Sequence, residues 1–504
     1  MRRLTKILLS MVGLVVVAVA GFGTWIFVSY QDAKVDMVGK VDFDRKLAIP
    51  EIAPSTVDSD GTRVFDLDIQ RGETDLGKSK PTRTWGINGA FLGPTLRAER
   101  GEKVRIQATN NVGEPTTLHW HGMHLPAAMD GGPHQMMAPG KTWKPHWRID
   151  QPAATLWYHP HLHGKTAEHV YRGLAGMFIL DDEREAPLDL PRTYGVDDLP
   201  LIVQDKNFDD DGQLDSGHTL FSNLGTLGHE ILVNGTPGPY ADITTEAVRL
   251  RLLNGSGART FTFTFDDRRT FDVIATDGGL LETPVPVDRV QLAPGERAEI
   301  VVRFTAGETT VLRSEKLAGG NNRFSGSDSR FDVLQLRAGD TLKPSPALPR
   351  SLTRIDRIKS AEARTTRTFT MQGTTINGKK MDMSRIDATA EVGSTEIWKV
   401  TNTNGGTHHS FHIHDVQFQV LDIDGEPPPP LLSGWKDTVW LPHDKTFRLI
   451  MRFDDYSDPD SPYMFHCHML RHEDQGMMGQ FVVVAPGEAA GSGHDHHGGS
   501  GHSG

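Results

Sequence analysis

The sequence holds a single cysteine, Cys467, in 504 residues. No intrachain disulfide can form, and a lone thiol among so many residues needs an explanation of its own. Sustained apolar heptads are also missing, which excludes a long coiled coil. So is any excess of positive charge. Lys and Arg number 53 against 65 Asp and Glu, a net charge of −12, which argues against nucleic acid as a partner because phosphate binding needs a basic surface. What remains is many short apolar runs broken by turn residues, with 52 Gly and 30 Pro, the pattern of an all-β protein.

One long apolar run exists, at the N-terminus. Arg2, Arg3 and Lys6 precede a stretch from Ile7 to Val28, close to the ~20 apolar residues that span a bilayer. Basic residues ahead of it keep the N-terminus inside, so the rest is exported to a periplasmic or cell-surface position. Ala18-Val19-Ala20 resembles a signal-peptidase site. Yet Phe22, Trp25, Ile26, Phe27 and Val28 carry the run past it, which favours an uncleaved anchor over residues 1–30. Arg2-Arg3 is a poor match to a twin-arginine export signal.

Beyond the anchor the chain repeats. Ile87-Asn88-Gly89 recurs as Val233-Asn234-Gly235 and Ile376-Asn377-Gly378. Each tripeptide is followed by a strand-like segment running to an asparagine: Lys103 to Asn110, Val248 to Asn254, and Glu396 to Asn402. Asn-Gly suits a tight turn, and the alternation of Val104, Ile106 and Ala108 suits a half-buried strand. Three β-sandwich domains are expected, at 45–185, 186–345 and 346–487. A Gly/Ser/His-rich tail, 488–504, carries His494, His496, His497 and His502 and cannot build a core.

The 23 histidines are clustered. Four His-x-His pairs stand out: His119/His121, His159/His161, His412/His414 and His466/His468. Residues two apart on a strand face the same way, so each pair aims two imidazoles at one place. One pair alone is ordinary. Four pairs in the first and third repeats suggest a copper cluster between those domains, since imidazole suits copper. The middle repeat has only His218 and His229 and is expected to act as a spacer. Cys467 lies between His466 and His468 and so points the other way. His409, three before His412, shares that opposite parity. With His472 and Met477, two histidines, a thiolate and a weak axial thioether make a blue-copper site, which also explains the unpaired cysteine.

These runs resemble a known family. His119-Trp-His-Gly, Trp157-Tyr-His-Pro-His-Leu-His, His409-Ser-Phe-His-Ile-His and His466-Cys-His-Met-Leu-Arg-His-Glu-Asp-Gln-Gly-Met477 look like the four copper motifs of the multicopper oxidases, most similar to the bacterial three-domain branch of the copper efflux oxidase and bacterial laccases. The resemblance implies three consecutive cupredoxin-like Greek-key β-sandwiches and four copper ions. It assigns His409, Cys467, His472 and Met477 to a type 1 copper and His119 and His412 to a type 2 copper. It assigns His121, His159, His161, His414, His466 and His468 to a type 3 pair. Electrons taken singly from a small reductant at the first would reduce dioxygen to water at the other three. His124, His163 and His408 are expected outside the ligand set.

Asp130 and Glu473 match positions where the family carries acidic residues beside the trinuclear cluster. Asp130 is expected to bond the type 2 copper water and Glu473 to relay protons. The substrate is less legible. The methionine-rich insert of the copper efflux oxidase has no counterpart in 346–375, where Met371 stands alone, and no acidic residue stands in Asn404-Gly405-Gly406-Thr407 just upstream of His409. An uncovered type 1 site favours phenols, aromatic amines or bilirubin-like tetrapyrroles over Cu(I), Fe(II) or Mn(II). Met381, Met383, Met464 and Met469 remain possible soft ligands, though methionine is commonly core filler. Trp435-Lys436-Asp437 is a candidate substrate rim. A non-catalytic copper sink or envelope protein is the reading from another class. A monomer is expected.

Overall fold

The computed structural model describes residues 2–217, 224–318 and 323–491. His218 and the tail histidines His494, His496, His497 and His502 lie outside the described residues. The chain begins with the helix Arg2–Asp32 and continues as three two-sheet sandwiches.

In the first sandwich a sheet built on Arg63–Thr74 and Lys103–Asn111 faces a four-stranded sheet, ordered Leu96–Glu99, Gly176–Asp181, Ala154–His159, His119–His121. The second pairs a seven-stranded with a six-stranded sheet, and the third pairs two five-stranded sheets. Each has its own apolar core, around Phe65 and Ile106, around Leu250 and Phe263, and around Trp398 and Phe465. The third core also takes in Ala127 of the first sandwich and Leu224 and Ala258 of the second, so the domains share side chains at their junction.

The repeat seen in the sequence has a physical basis. Asn88, Asn234 and Asn377 all turn the chain with positive φ, at 55°, 50° and 53°, a conformation asparagine tolerates. Each side-chain oxygen accepts a backbone N–H from the neighbouring strand, of Asp68, Ile202 and Thr370 respectively. The second asparagine of each repeat is also used alike. The Asn110, Asn254 and Asn402 amides each donate to two backbone carbonyls and accept from the N–H two residues on. Such locally satisfied polar groups fix a turn inside a dry core.

The helix is tied to the second sandwich. Val35 and Asp36 bond to Ser329 and Arg330, and Arg45–Lys46 pairs in parallel with Pro239–Tyr240 before the first sandwich begins.

Candidate metal centre

Two strand pairs carry the site. In the first sandwich His119–His121 pairs antiparallel with Ala154–His159, which sets His119 opposite His159. In the third, His409–Ile413 pairs with Asp458–Cys467, which sets His412 opposite His466. The two sandwiches meet so that His119 stacks on His414 with ring centroids 3.8 Å apart, and His121 on His412 at 3.7 Å. His161 Nε2 and His414 Nε2 lie 3.1 and 3.3 Å from His466 Nε2. The rings of His121, His159 and His412 surround His468 at 4.9, 5.2 and 5.7 Å. All eight histidines of the His-x-His pairs therefore converge, and all are buried. Only His119/His121 lies wholly within one strand; the other three pairs straddle a strand end.

Hydrogen bonding fixes which nitrogen of each ring faces inward. Nδ1 of His119, His159, His412 and His466 donates to the backbone carbonyls of Asp130, Pro160, Asp437 and Cys467, at 2.8–3.2 Å. Nδ1 of His414 donates to Asp130 Oδ2 at 2.7 Å. These five rings leave Nε2 as a bare lone pair aimed at the cluster. His121 is reversed. Its Nε2 donates to Asp437 Oδ1 at 3.0 Å, and its Nδ1 faces His159 Nε2 at 3.4 Å. Burial pushes His121, His159, His412, His414 and His466 well below the usual imidazole range, and His161 and His468 down to about 3. These rings are neutral at pH 7, the form that binds metal.

Lone pairs crowded toward one another in a dry core repel unless a cation lies among them. Nε2 of His119 and His412 and both nitrogens of His468 are buried without a hydrogen-bond partner. Candidate ligand atoms of His119, His412 and His414 lie within 4.8 Å of one another, as do those of His119, His121 and His159, and of His161, His414 and His466. The donor set fits copper.

A second centre lies one residue away. His409 Nδ1 is 3.3 Å and His472 Nδ1 3.5 Å from Cys467 Sγ. Cys467 is fully buried, and burial pushes its thiol up to about 12. The thiolate is reached only where a cation displaces the proton. The short helix Leu470–Asp474 carries His472, and Gly476, at φ 92°, turns the chain back so that the Met477 carbonyl accepts the Cys467 N–H. Met477 is buried in the same apolar cluster as Cys467.

The two acidic residues face the larger cluster. Asp130 follows a short turn, and Gly131 (φ 81°) must be glycine because a Cβ there would lie 1.8 Å from the Leu118 carbonyl oxygen. Asp130 bridges the sandwiches, with Oδ2 on His414 of the third and Oδ1 3.3 Å from His119 of the first. Glu473 Oε1 and Oε2 stand 3.4 and 3.3 Å from Nδ1 of His161 and His466, and burial pushes its carboxyl well above the usual range.

Several expectations are corrected. Lys436 and Asp437 are fully buried and cannot form a substrate rim; Trp435 alone is half-buried, at a cavity of about 430 Å³ where the three domains meet. The second domain is more than a spacer. Its Arg297 donates two N–H bonds of 2.7 Å to Asp437, and its Asp277 and Glu296 pair with Lys436 at 2.9 and 2.8 Å. Leu224 and Ala258 of the second domain join the same apolar cluster as Cys467, so the second domain also packs on the third there. Arg297 left no local signal, but an arginine at an inward strand position called for a buried partner. His163 is exposed, His408 sits beside His409 without facing the cluster, and His124 pairs with Asp415 and Asp455. Met371, Met464 and Met469 are fully buried as core, whereas Met383 is exposed and Met381 half-exposed.

Family models described as multicopper oxidase match residues 68–185, 205–313 and 348–487. The chain belongs to the multicopper oxidase family. It is 37% identical over 446 residues to multicopper oxidase mco of Staphylococcus haemolyticus, covering 87% of this chain and 92% of that one. It is also 37% identical over 445 residues to the cell division protein FtsP of Sodalis glossinidius, with the same coverage. The crystal structure of a laccase from Pediococcus acidilactici superimposes with a TM-score of 0.81 at 36% identity, covering 88% of this chain and 94% of that one. Copper binding, dioxygen and a reducing substrate come with the multicopper oxidase family, as does the all-β fold of three cupredoxin-like domains.

Proposed function

We propose that this chain is a laccase-like multicopper oxidase that couples one-electron oxidation of phenols or aromatic amines to four-electron reduction of dioxygen. The observation that carries the proposal is the convergence of eight buried histidines from two domains one residue away from a Cys467 flanked by His409 and His472. His409, Cys467, His472 and Met477 would hold a type 1 copper, and His119 and His412 a type 2 copper. His121, His159, His161, His414, His466 and His468 would hold a type 3 pair, four ions in all. Bound at these residues, copper would accept electrons singly from the reductant and pass four of them to dioxygen.

The protein's own groups do the rest. Backbone carbonyls and carboxylates orient each ring, the domain walls keep water out, and the segment His466-Cys467-His468 joins the two centres covalently. Asp130 holds His414 and His119 in register across the domain junction. Glu473, whose carboxyl burial pushes well above the usual range, is placed to hand on a proton beside His161 and His466. The N-terminal helix would keep the enzyme on the outer side of a membrane.

A metallo-oxidase of Cu(I), Fe(II) or Mn(II) is the competing reading, weakened by the missing methionine-rich insert. A non-catalytic envelope protein, as the kinship to a cell division protein suggests, has no use for twelve filled ligand positions. The test is oxygen consumption by the copper-loaded chain with a phenolic dye and with Cu(I) in parallel. Faster turnover of the dye supports the laccase reading and faster Cu(I) turnover overturns it. No uptake with either substrate favours the non-catalytic reading.

A further inference from the structure

The N-terminal helix is joined by a short series of contacts to the neighbourhood of the Cys467 centre. The helix exposes Met11–Val28, an 18-residue span of mean hydropathy 2.3 with none of it buried. Trp25 and Tyr30 follow within and just beyond that span, where amphipathic rings mark the edge of a bilayer. Beyond Asp32 only Ala33 and Lys34 intervene before Val35, whose carbonyl accepts the Arg330 N–H at 2.9 Å. That linker reaches about 10 Å at most. Tyr30 packs edge-on against Phe324 at 5.2 Å and lies under the Arg323 guanidinium. Gly39 N–H donates to Asp332 at 2.7 Å, so the tether is bonded on both sides of Arg330. The segment 323–332 is therefore held at the membrane surface.

That segment adjoins the type 1 side. Gly326 sits against Leu227 and Arg259, close enough that a Cβ would meet them at 3.3 and 2.8 Å. Leu227 and Leu224 pack into the cluster that contains Cys467, Met469 and Met477. Next along, Thr260 Oγ1 is 3.1 Å from His408 Nε2, and the Gly257 carbonyl accepts the Leu470 N–H. Residues 257–260 thus touch the neighbours of His409 and His472. These contacts lead from the membrane tether through Gly326 and Arg259 to the residues beside His409 and His472.

We infer that the Cys467 face lies against the bilayer and draws its electrons from a reductant dissolved there, a hydroquinone with an apolar tail. The inference rests on the phenol-oxidising reading given above. In the overall reaction, two hydroquinones each lose two O–H hydrogens, as two electrons and two protons, and become quinones. One dioxygen takes up the four electrons and four protons and becomes two waters. An apolar phenol is concentrated by the bilayer, and a short rigid tether keeps the entry face within its reach.

The test uses the full chain, copper-loaded, in phosphatidylcholine vesicles, with its N-terminal mass verified. Oxygen uptake is measured with a decyl-tailed hydroquinone and with untailed hydroquinone. A second form carries a Gly/Ser insert of about 20 residues between Ala33 and Lys34 together with Tyr30→Ser, which releases both the linker and the Tyr30–Phe324 contact. The tailed substrate should be favoured about tenfold or more by the native chain, and the insert should cut that preference at least about fivefold while leaving the untailed rate alone. Equal preference in the two forms overturns the inference, as does a mature chain cut after Ala20. If untailed hydroquinone supports no uptake in detergent either, the phenol-oxidase reading itself has failed.

Discussion

Arg297 and Asp437 belong to different sandwiches, yet they meet in a fork of two N–H···O bonds of 2.7 Å with both side chains buried. Asp437 in turn accepts the Nε2–H of His121, from the remaining sandwich, at 3.0 Å. One carboxylate thus joins all three domains and sets the reversed orientation of a single imidazole.

Arg297→Met removes the fork and strands Asp437. Losing one partner of a buried pair costs about 3–5 kcal/mol. The variant should melt at lower temperature and bind less copper at the trinuclear centre while keeping the blue absorption of the Cys467 centre. Arg297→Lys restores charge but not two parallel bonds and should fall between. Copper per chain and differential scanning calorimetry report this; native copper content in the Met variant would show that the fork is dispensable.

Cys467→Ser separates the two centres. The hydroxyl is near the thiol in size, so the core around Phe411 and Phe465 should persist. Serine does not offer a thiolate, and the chain should lose its blue band, one copper and oxygen uptake while the other coppers stay bound. Absorption and metal analysis decide it. A retained blue band would place the chromophore elsewhere.

Much of this was readable before the fold. The His-x-His spacing and the parity of Cys467 follow from strand geometry alone, and His409, Cys467 and His472 do come together. The repeat was legible because Asn88, Asn234 and Asn377 each satisfy the same turn. Arg297, Asp277 and Glu296 were not legible, because their roles come from contacts 140 to 161 residues away in sequence. The packing of the second domain on the third was missed for the same reason. Leu224 reads as one more leucine in a polar loop until the second sandwich docks on the third.

Acid should weaken the copper-free protein steeply. His161 and His468 have pKa values of about 3 when folded, against 6.5 for exposed imidazole. At pH above 6.5 both states are neutral and the full stability is present. Below it the unfolded chain takes up protons that the folded chain refuses, so stability falls by about 1.4 kcal/mol per pH unit for each such histidine until the pH nears 3. Thermal melts of the chelated protein from pH 7.5 to 4.5 should show the loss, and copper should raise the melting temperature at each pH without removing the slope. A flat profile would mean that the rings are hydrated in solution.

Asp130→Asn keeps an oxygen for His414 but removes the charge that holds His414 and His119 across the junction. Loss of such a supporting carboxylate costs about 10–100-fold in metal affinity or activity. Oxygen reduction should slow by that order while the blue absorption stays, since Asp130 touches no residue of the Cys467 centre. Full activity in this variant would remove the role.

Glu473→Gln tests proton delivery. The carboxyl is fully buried, 3.3 Å from His466 and 3.4 Å from His161, and burial pushes it well above the usual carboxylate range, which favours the acid form. Glutamine has the same shape but has no acidic proton to give. General acid catalysis contributes about 10²–10⁴-fold, so the oxidative half of the cycle should slow on that scale. On the proposed reading, with electrons entering at the Cys467 centre, the reductive half should not change. Stopped-flow absorption separates the two: the blue band should bleach with reductant at the native rate and return slowly with oxygen. If bleaching slows as well, Glu473 acts by supporting His472 next to it; if both phases are native, the protons take another route.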